Sequence, residues 1–260
     1  TEGWRIDDLL HVTLIATAVL ALVVLLWLAV VLARDRRHKE SRFTHGSSAK
    51  ERAVPLALAA LVLFAVDGYL LYRSHRDLQE SVLAVDRVLA TRDHIRVQIG
   101  ARQWAWEIRY PGLDDRFDTE DDIYTLSHLV VPVGIAVVYE LGALDVVHSL
   151  YLPNFRVKQD AIPGRVGRGW FGTRATGRYD IACAQHCGVH HYQMSGVIEV
   201  LSAEDFATWT RDMSADAVRL HAENQRALQE AEPSKTESWT STTPTTDATR
   251  AWTWAWQERP

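Results

Sequence analysis

Residues 178–202 read RYDIACAQHCGVHHYQMSGVIEVLS. Two short runs, RYDIACA and GVIEVLS, are rich in β-branched and apolar residues and flank a loop holding Cys183, His186, Cys187, His190, His191 and Met194. Such runs are strand signals, and the loop is where a β scaffold places chemistry. Upstream the same signal recurs. Residues 95–110, IRVQIGARQWAWEIRY, alternate, with Ile95, Val97 and Ile99 on one face. Residues 111–122, PGLDDRFDTEDD, form an acidic turn. The runs HLVVPVGIAVVYEL and LDVVHSLYLP are punctuated by Pro132, Gly134 and Gly142. Many short strands with Gly and Pro breaks predict one all-β sandwich or barrel over residues 95–202.

On the C-terminal side, residues 203–231 have a helical pattern and are expected to form a helical extension. Residues 232–260 begin as a Ser/Thr/Pro-rich, low-complexity tail for which disorder is expected. That tail ends in Trp252, Trp254 and Trp256, a cluster suited to docking on a partner or a membrane interface.

On the N-terminal side lie two apolar runs. Residues 14–33, LIATAVLALVVLLWLAVVLA, carry no charge. At about 1.5 Å per residue they span a hydrocarbon layer of roughly 30 Å. Residues 53–72 form a second run that includes Asp67. The first flank, TEGWRIDD, is more acidic than basic, which disfavours a signal peptide. Between the runs, residues 34–52 hold Arg34, Arg36, Arg37, Lys39, Arg42, Lys50 and Arg52. The positive-inside rule puts that loop in the cytoplasm and the remainder of the chain on the outer face. The expected organisation is a transmembrane hairpin over 9–73, a linker helix over 74–94, then the β domain. A buried soluble hairpin is the bland alternative. Asp67 is either a contact to another membrane subunit, part of a proton path, or an interfacial carboxylate reaching the headgroups.

Composition excludes several classes. The 260 residues are 47% hydrophobic and 23% charged, with a formal net charge of −5. The isoelectric point near 6.1 gives no basic face for nucleic acid. Two cysteines are too few for a disulfide-rich module, a Cys₄ zinc site or an ordinary iron–sulfur cluster, and no CxxCH is present for covalent haem. The mean hydropathy of −0.12 averages over very different segments.

The Cys–His loop crowds thiolate, imidazole and thioether donors into twelve residues, 183–194. That mixture favours copper over hard cations. Zinc would accept two Cys and two His without the methionine. A plain Cys183–Cys187 disulfide, a redox-exchange pair and a core role for Met194 remain open on the residues alone. His148, at the end of a predicted strand, is a further candidate, expected to approach from the opposite side of the sandwich.

At this point the residues resemble a family. The window matches the motif C-x-E-x-C-G-x-x-H-x-x-M of the copper A subunit of haem–copper oxidases, the cytochrome c oxidase subunit II family. It does so at Cys183, Cys187, Gly188, His191 and Met194. DVVHSLYLPNFRVKQDAIPGR resembles the stretch around the family's first histidine ligand, which points to His148. ARQWAWEIRYP and WFGTRATGRYDIACAQHCG also read like its strands, so with the hairpin the likeness covers roughly residues 10–212. The resemblance implies a cupredoxin-like sandwich holding two copper ions in a binuclear copper A centre. Cys183 and Cys187 would bridge the metals. His148 and Met194 would complete one ion, and His191 with the backbone carbonyl of Gln185 the other. His186 and His190 fall at non-ligand positions.

It further implies that Trp104 receives electrons from a c-type cytochrome; Trp106, two residues on and on the same face of a strand, is expected to pack, and core packing is the alternative for Trp104. Haem would reside only in the partner subunit I, beside other membrane subunits and lipid, in a bacterial-type cytoplasmic membrane with the copper domain on the periplasmic face. The acidic residues Asp114, Asp115, Asp118, Glu120, Asp121 and Asp122 could steer a basic cytochrome, hold a cation through oxygen ligands, or form a solvated turn. The chain departs from the family at Gln185, where a carboxylate that also ligates an interface magnesium or manganese is usual. Glu51 lies near a carboxylate linked to proton uptake, but the Trp-Thr that follows it in the family is missing. The expected function is the electron-accepting subunit of an oxygen-reducing oxidase, not catalytic alone. A nitric oxide reductase of the same superfamily and a copper carrier are the alternatives.

Overall fold

The structure is a computed structural model that describes residues 3–36, 48–90 and 93–231. The Trp-rich stretch and most of the basic loop lie outside the described residues. The chain divides into two units, Trp4–Leu83 and the part from Ala84 onward.

The first unit is helical. Helix α1 runs Gly3–Asp35. After the loop come α2 (Ala49–Val62), a π turn at Leu63–Asp67, α3 (Gly68–Asp77) and a second π turn at Leu78–Val82. Gly3–Arg34 and Arg52–Leu89 are long and apolar enough to cross a membrane, with mean hydropathy 3.0 and 2.1 in their most apolar windows. Their large side chains, such as Leu25, Trp27, Phe64 and Leu71, face outward, as lipid-facing side chains do. The polar ends are tied to each other: Arg73 Nη2 meets Asp8 Oδ2 at 2.7 Å, and Arg5 Nη1 meets Glu80 Oε2 at 2.6 Å. Asp67 is exposed at the end of the first π turn.

The second unit is a sandwich of two five-stranded sheets, preceded by the short helix α4 (Val85–Leu89). One sheet has the order β3-β2-β1-β5-β8. Its strands are β1 (His94–Arg102), β2 (Ala105–Tyr110), β3 (Ile123–Leu126), β5 (Ala136–Ala143) and β8 (Gly167–Gly172). The other has the order β4-β10-β9-β6-β7. It comprises β4 (His128–Pro132), β6 (His148–Leu152), β7 (Val157–Ala161), β9 (Gly177–Cys183) and β10 (Ser195–Leu201). Most pairings are antiparallel, but β1 runs parallel to β5, and β4 to β10.

The core lies between the sheets. Val97, Ile99 and Ala101 of β1 join Trp106, Ile108, Leu129, Val131, Leu150, Ile181 and Ile198 in one buried cluster. Each such aliphatic side chain contributes roughly 1.5–3 kcal/mol on full burial. The outer face of β1 is covered too: Gln98 is buried beside Arg109 and Glu140. Helix α5 (Ala203–Ala231) closes one side. Ser202 caps it, its hydroxyl accepting from the Asp205 N–H at 3.0 Å and donating to the Asp205 carboxylate at 2.7 Å, a reciprocal cap. Trp209 packs edge-on against Tyr110, with ring centroids 5.1 Å apart.

Candidate metal centre

Three strand ends of the second sheet meet at one corner. Strand β9 ends on Cys183, β10 begins at Ser195, and β6 begins on His148. The pairing Leu150↔Cys183 sets β6 beside β9. His148 therefore comes from the neighbouring strand of the same sheet, not from across the sandwich as the sequence suggested. The loop between Cys183 and Met194 is closed by main-chain bonds. Cys183 N–H donates to Met194 O at 3.0 Å, Ala184 N–H to Ser149 O at 2.9 Å, and His191 N–H to Gly188 O at 3.1 Å. Gly188 has φ +122, a conformation that side chains rarely adopt.

This closure gathers six donors. Cys183 Sγ lies 3.8 Å from Cys187 Sγ and 3.2 Å from the Gln185 carbonyl oxygen. Cys187 Sγ lies 3.4 Å from His191 Nδ1 and 3.7 Å from Met194 Sδ. Met194 Sδ lies 3.1 Å from His148 Nδ1. His148, Cys187 and Met194 are buried, while the Gln185 side chain is exposed. His186 and His190 are exposed outside this ring of donors.

The far nitrogen of His148, Nε2, meets Asp145 Oδ1 at 2.9 Å. That contact fixes the imidazole with Nδ1 facing the sulfurs, the outer support that ligating histidines use. Burial is the largest influence on Asp145 and raises it, but hydrogen bonds from His148 and the N–H groups of Gln103 and Val146 outweigh it and hold the carboxyl below its ordinary range. Burial, with Cys183 close by, pushes the Cys187 thiol up to about 11. Ionising the Cys187 thiol in this pocket calls for a bound cation, and metal binding then releases protons.

The donor set tests the fit to a metal. His148, Cys183 and Cys187 alone place ligand atoms within 4.8 Å of one another, and a thioether completes a soft, sulfur-rich group suited to copper. Among the described residues no comparable cluster occurs in the acidic loop, so the cation-holding reading of that loop has no support in its geometry.

Trp104 lies next to this corner. Arg102 pairs with Ala105, so Gln103 and Trp104 form the two-residue turn between β1 and β2. Trp104 is thus not on the strand face of Trp106, which is completely buried. The indole of Trp104 is half-buried against the loop, with the His190 ring edge-on at 4.6 Å. Val189 and Tyr192 stand out beside it at 80% and 77% exposure. Residue spacing gave no sign that His190 touches Trp104.

The acidic loop divides into two groups. Asp114, Asp115, Asp118 and Glu120 are exposed. Asp122 is 3% exposed and is consumed by Arg109, whose Nε donates to it at 2.8 Å and whose Nη2 also donates. Burial opposes the Arg109 charge, but Asp118 and Asp122 outweigh it and raise its pKa. Asp121 accepts from the Leu113 N–H at 2.6 Å and the Thr119 hydroxyl at 2.8 Å. Asp122 is therefore corrected from a docking residue to a structural one: a buried, paired carboxylate presents no charge to a partner. Asp121 is largely turned to the same internal use.

Residues 117–201 match the family described as cytochrome c oxidase subunit II, periplasmic domain. The alternative cytochrome c oxidase subunit 2 of Bradyrhizobium diazoefficiens is 32% identical over 144 residues, which is 47% of this chain and 52% of that protein. Cytochrome c oxidase subunit 2 of Cereibacter sphaeroides is 27% identical over 245 residues, 80% of this chain and 75% of that protein. Over residues 117–201 the chain is similar to the periplasmic domain of cytochrome c oxidase subunit II. The chain spans about half the length of the Bradyrhizobium relative. The crystal structure of the periplasmic domain of subunit II from Bradyrhizobium japonicum is 27% identical and covers 47% of this chain and 94% of that one, with TM-score 0.42. The chain combines two apolar helices, a cupredoxin-like sandwich and a C-terminal helix.

Proposed function

We propose that this chain is the electron-accepting subunit of a membrane haem–copper oxidase that takes electrons from a c-type cytochrome. The observation that carries the reading is the convergence of His148, Cys183, the Gln185 carbonyl, Cys187, His191 and Met194 at one corner of the sandwich, beside Trp104. These residues would hold two copper ions. Bound there, copper would supply a one-electron redox centre.

The chain's own residues have definable tasks. Asp145 orients His148. Met194 and the buried side of Cys187 exclude water from the sulfurs. Trp104, half-buried against Gly188 and His190, is the side chain through which a docked donor would couple. Asp114, Asp115, Asp118 and Glu120, beyond the opposite end of β2 from Trp104, would attract a basic cytochrome to the domain at long range. By the positive-inside rule the hairpin would form two spans of a bacterial-type cytoplasmic membrane, with the sandwich on the periplasmic side, beside a haem-bearing subunit.

Two measurements test this. Metal analysis of the full chain should give two copper ions per chain; one zinc, or a Cys183–Cys187 disulfide in the copper-loaded protein, would refute it. Turnover of the purified complex with oxygen, then anaerobically with nitric oxide, decides the terminal substrate; the oxidase reading requires oxygen consumption. The neutral Gln185 is the residue that keeps nitric oxide in the test.

A further inference from the structure

We propose that Gln103 is a positioning residue that clamps the Trp104 indole onto the Cys183–Cys187 loop; the proposal rests on Trp104 as the electron-accepting side chain.

Gln103 is bonded toward both ligand-bearing elements. Its side-chain Nε2 donates to the Cys187 carbonyl oxygen at 2.8 Å. Its backbone N–H donates to Asp145 Oδ2 at 2.7 Å, and the other oxygen of that carboxylate meets His148 Nε2 at 2.9 Å. One residue thus ties the β1–β2 turn to the cysteine loop directly and to the histidine through Asp145.

The indole has no polar anchor of its own. Trp104 Nε1 is buried with no hydrogen-bond partner among the described residues. Its position is set by what encloses it. On one side is the bare Cα of Gly188, where a Cβ would stand 2.9 Å from Gln103 Nε2 and 3.3 Å from both Trp104 Nε1 and Cζ2. On another side is the His190 ring, 4.6 Å away between centroids. The Gln103–Cys187 hydrogen bond is the directional contact in this enclosure; the rest is packing, which fixes distance weakly when a neighbour relaxes. Electron tunnelling falls steeply with separation, so a small withdrawal of the indole weakens coupling.

The test uses the whole complex with Gln103→Leu and Gln103→Glu. Leucine keeps the bulk and removes the donor. Glutamate keeps the shape but, ionised, is only an acceptor and faces the Cys187 carbonyl oxygen. Reduction by saturating cytochrome should slow several-fold in the leucine variant, and further in the glutamate variant. The half-saturating cytochrome concentration, the copper content and the copper spectrum should stay as in the unmodified complex. Adding Gln103→Leu to Trp104→Ala should cause no further slowing, because both act through one group.

A second readout does not depend on activity. In the copper-free full chain, the fluorescence due to Trp104, obtained by difference against Trp104→Phe, should become more accessible to acrylamide in Gln103→Leu. Unchanged rates with unchanged quenching overturn the proposal, as does a glutamate variant indistinguishable from the unmodified protein. Loss of the copper spectrum together with the rate overturns it as well, since Gln103 would then support the metals rather than the indole. If Trp104→Ala itself reduces at the unmodified rate, the electron-accepting assignment fails, and the quenching result decides the clamp separately.

Discussion

Neutralising the acidic loop one carboxylate at a time should separate structure from docking, and Asp122→Ala is the decisive variant. Asp122 Oδ2 accepts from Arg109 Nε at 2.8 Å, from Arg109 Nη2, and from the Asp118 N–H at 2.9 Å. The Arg109 and Asp122 side chains are 5% and 2% exposed. Removing one member of a buried pair leaves an uncompensated charge and costs about 3–5 kcal/mol. Asp118, itself 59% exposed, stays as a partner for Arg109 at 2.8 Å. The expected loss is therefore near the lower end, about 3 kcal/mol, or roughly 6–12 °C in the melting temperature of a domain this size. Asp114→Asn, on an exposed side chain, should change stability by less than about 0.5 kcal/mol. Thermal unfolding of the full chain in detergent, followed by near-ultraviolet circular dichroism, measures both. Replacing the pair together, Arg109→Met with Asp122→Leu, should recover most of the loss, since two apolar groups leave no orphan charge. The reasoning is refuted if Asp122→Ala melts with the unmodified chain, or if the double variant is no better than the single one.

The exposed carboxylates carry the complementary expectation: Asp114→Asn with Glu120→Gln should weaken cytochrome docking at low salt, with the effect fading as ionic strength rises, and stopped-flow reduction across a salt series checks it. Trp104→Ala should slow electron transfer severely at saturating cytochrome while copper content stays unchanged; an unmodified rate there contradicts the role given to the indole. Gln185→Ala should keep the mixed-valence copper signal, because a main-chain carbonyl lies at that site and the side chain is exposed, and electron paramagnetic resonance reads it. Besides Asp145, two aspartates set an acid limit. The Ser149 hydroxyl, and weakly Lys158, hold Asp160 below 3.8, and hydrogen bonds from Thr119 and the Leu113 N–H overcome burial to lower Asp121 below 3.8. Folded carboxylates of lowered pKa bind fewer protons than the unfolded chain, so their stabilisation is complete above that value and is lost as pH falls through the folded pKa. Melting temperature should therefore drop on acidification below pH 3.8, and Asp160→Asn should flatten that slope.

Sequence alone determined the elements whose signal is local. Twenty uncharged residues, apolar except for Thr17, can satisfy their backbone in lipid only as a helix, so the first span was legible without any neighbour. Alternation placed Val97 and Ile99 inward, where both are 1% exposed. The spacing of Cys183, Cys187, His191 and Met194 within one loop made a common centre readable, because a closed loop between paired strands brings near residues together whatever the rest does. Tertiary structure decided what depends on strands distant in sequence. The sheet order sets β6 beside β9, and that placement, not any periodicity, turns His148 toward the sulfurs and supports it on Asp145. Pairing of β1 with β2 through Arg102↔Ala105 moved Trp104 from a strand face into a turn, against Gly188 and His190. The acidic loop looked uniform as a string of letters. Burial divided it: Asp122 is enclosed on the guanidinium of Arg109, while Asp118 reaches the same group from an exposed position.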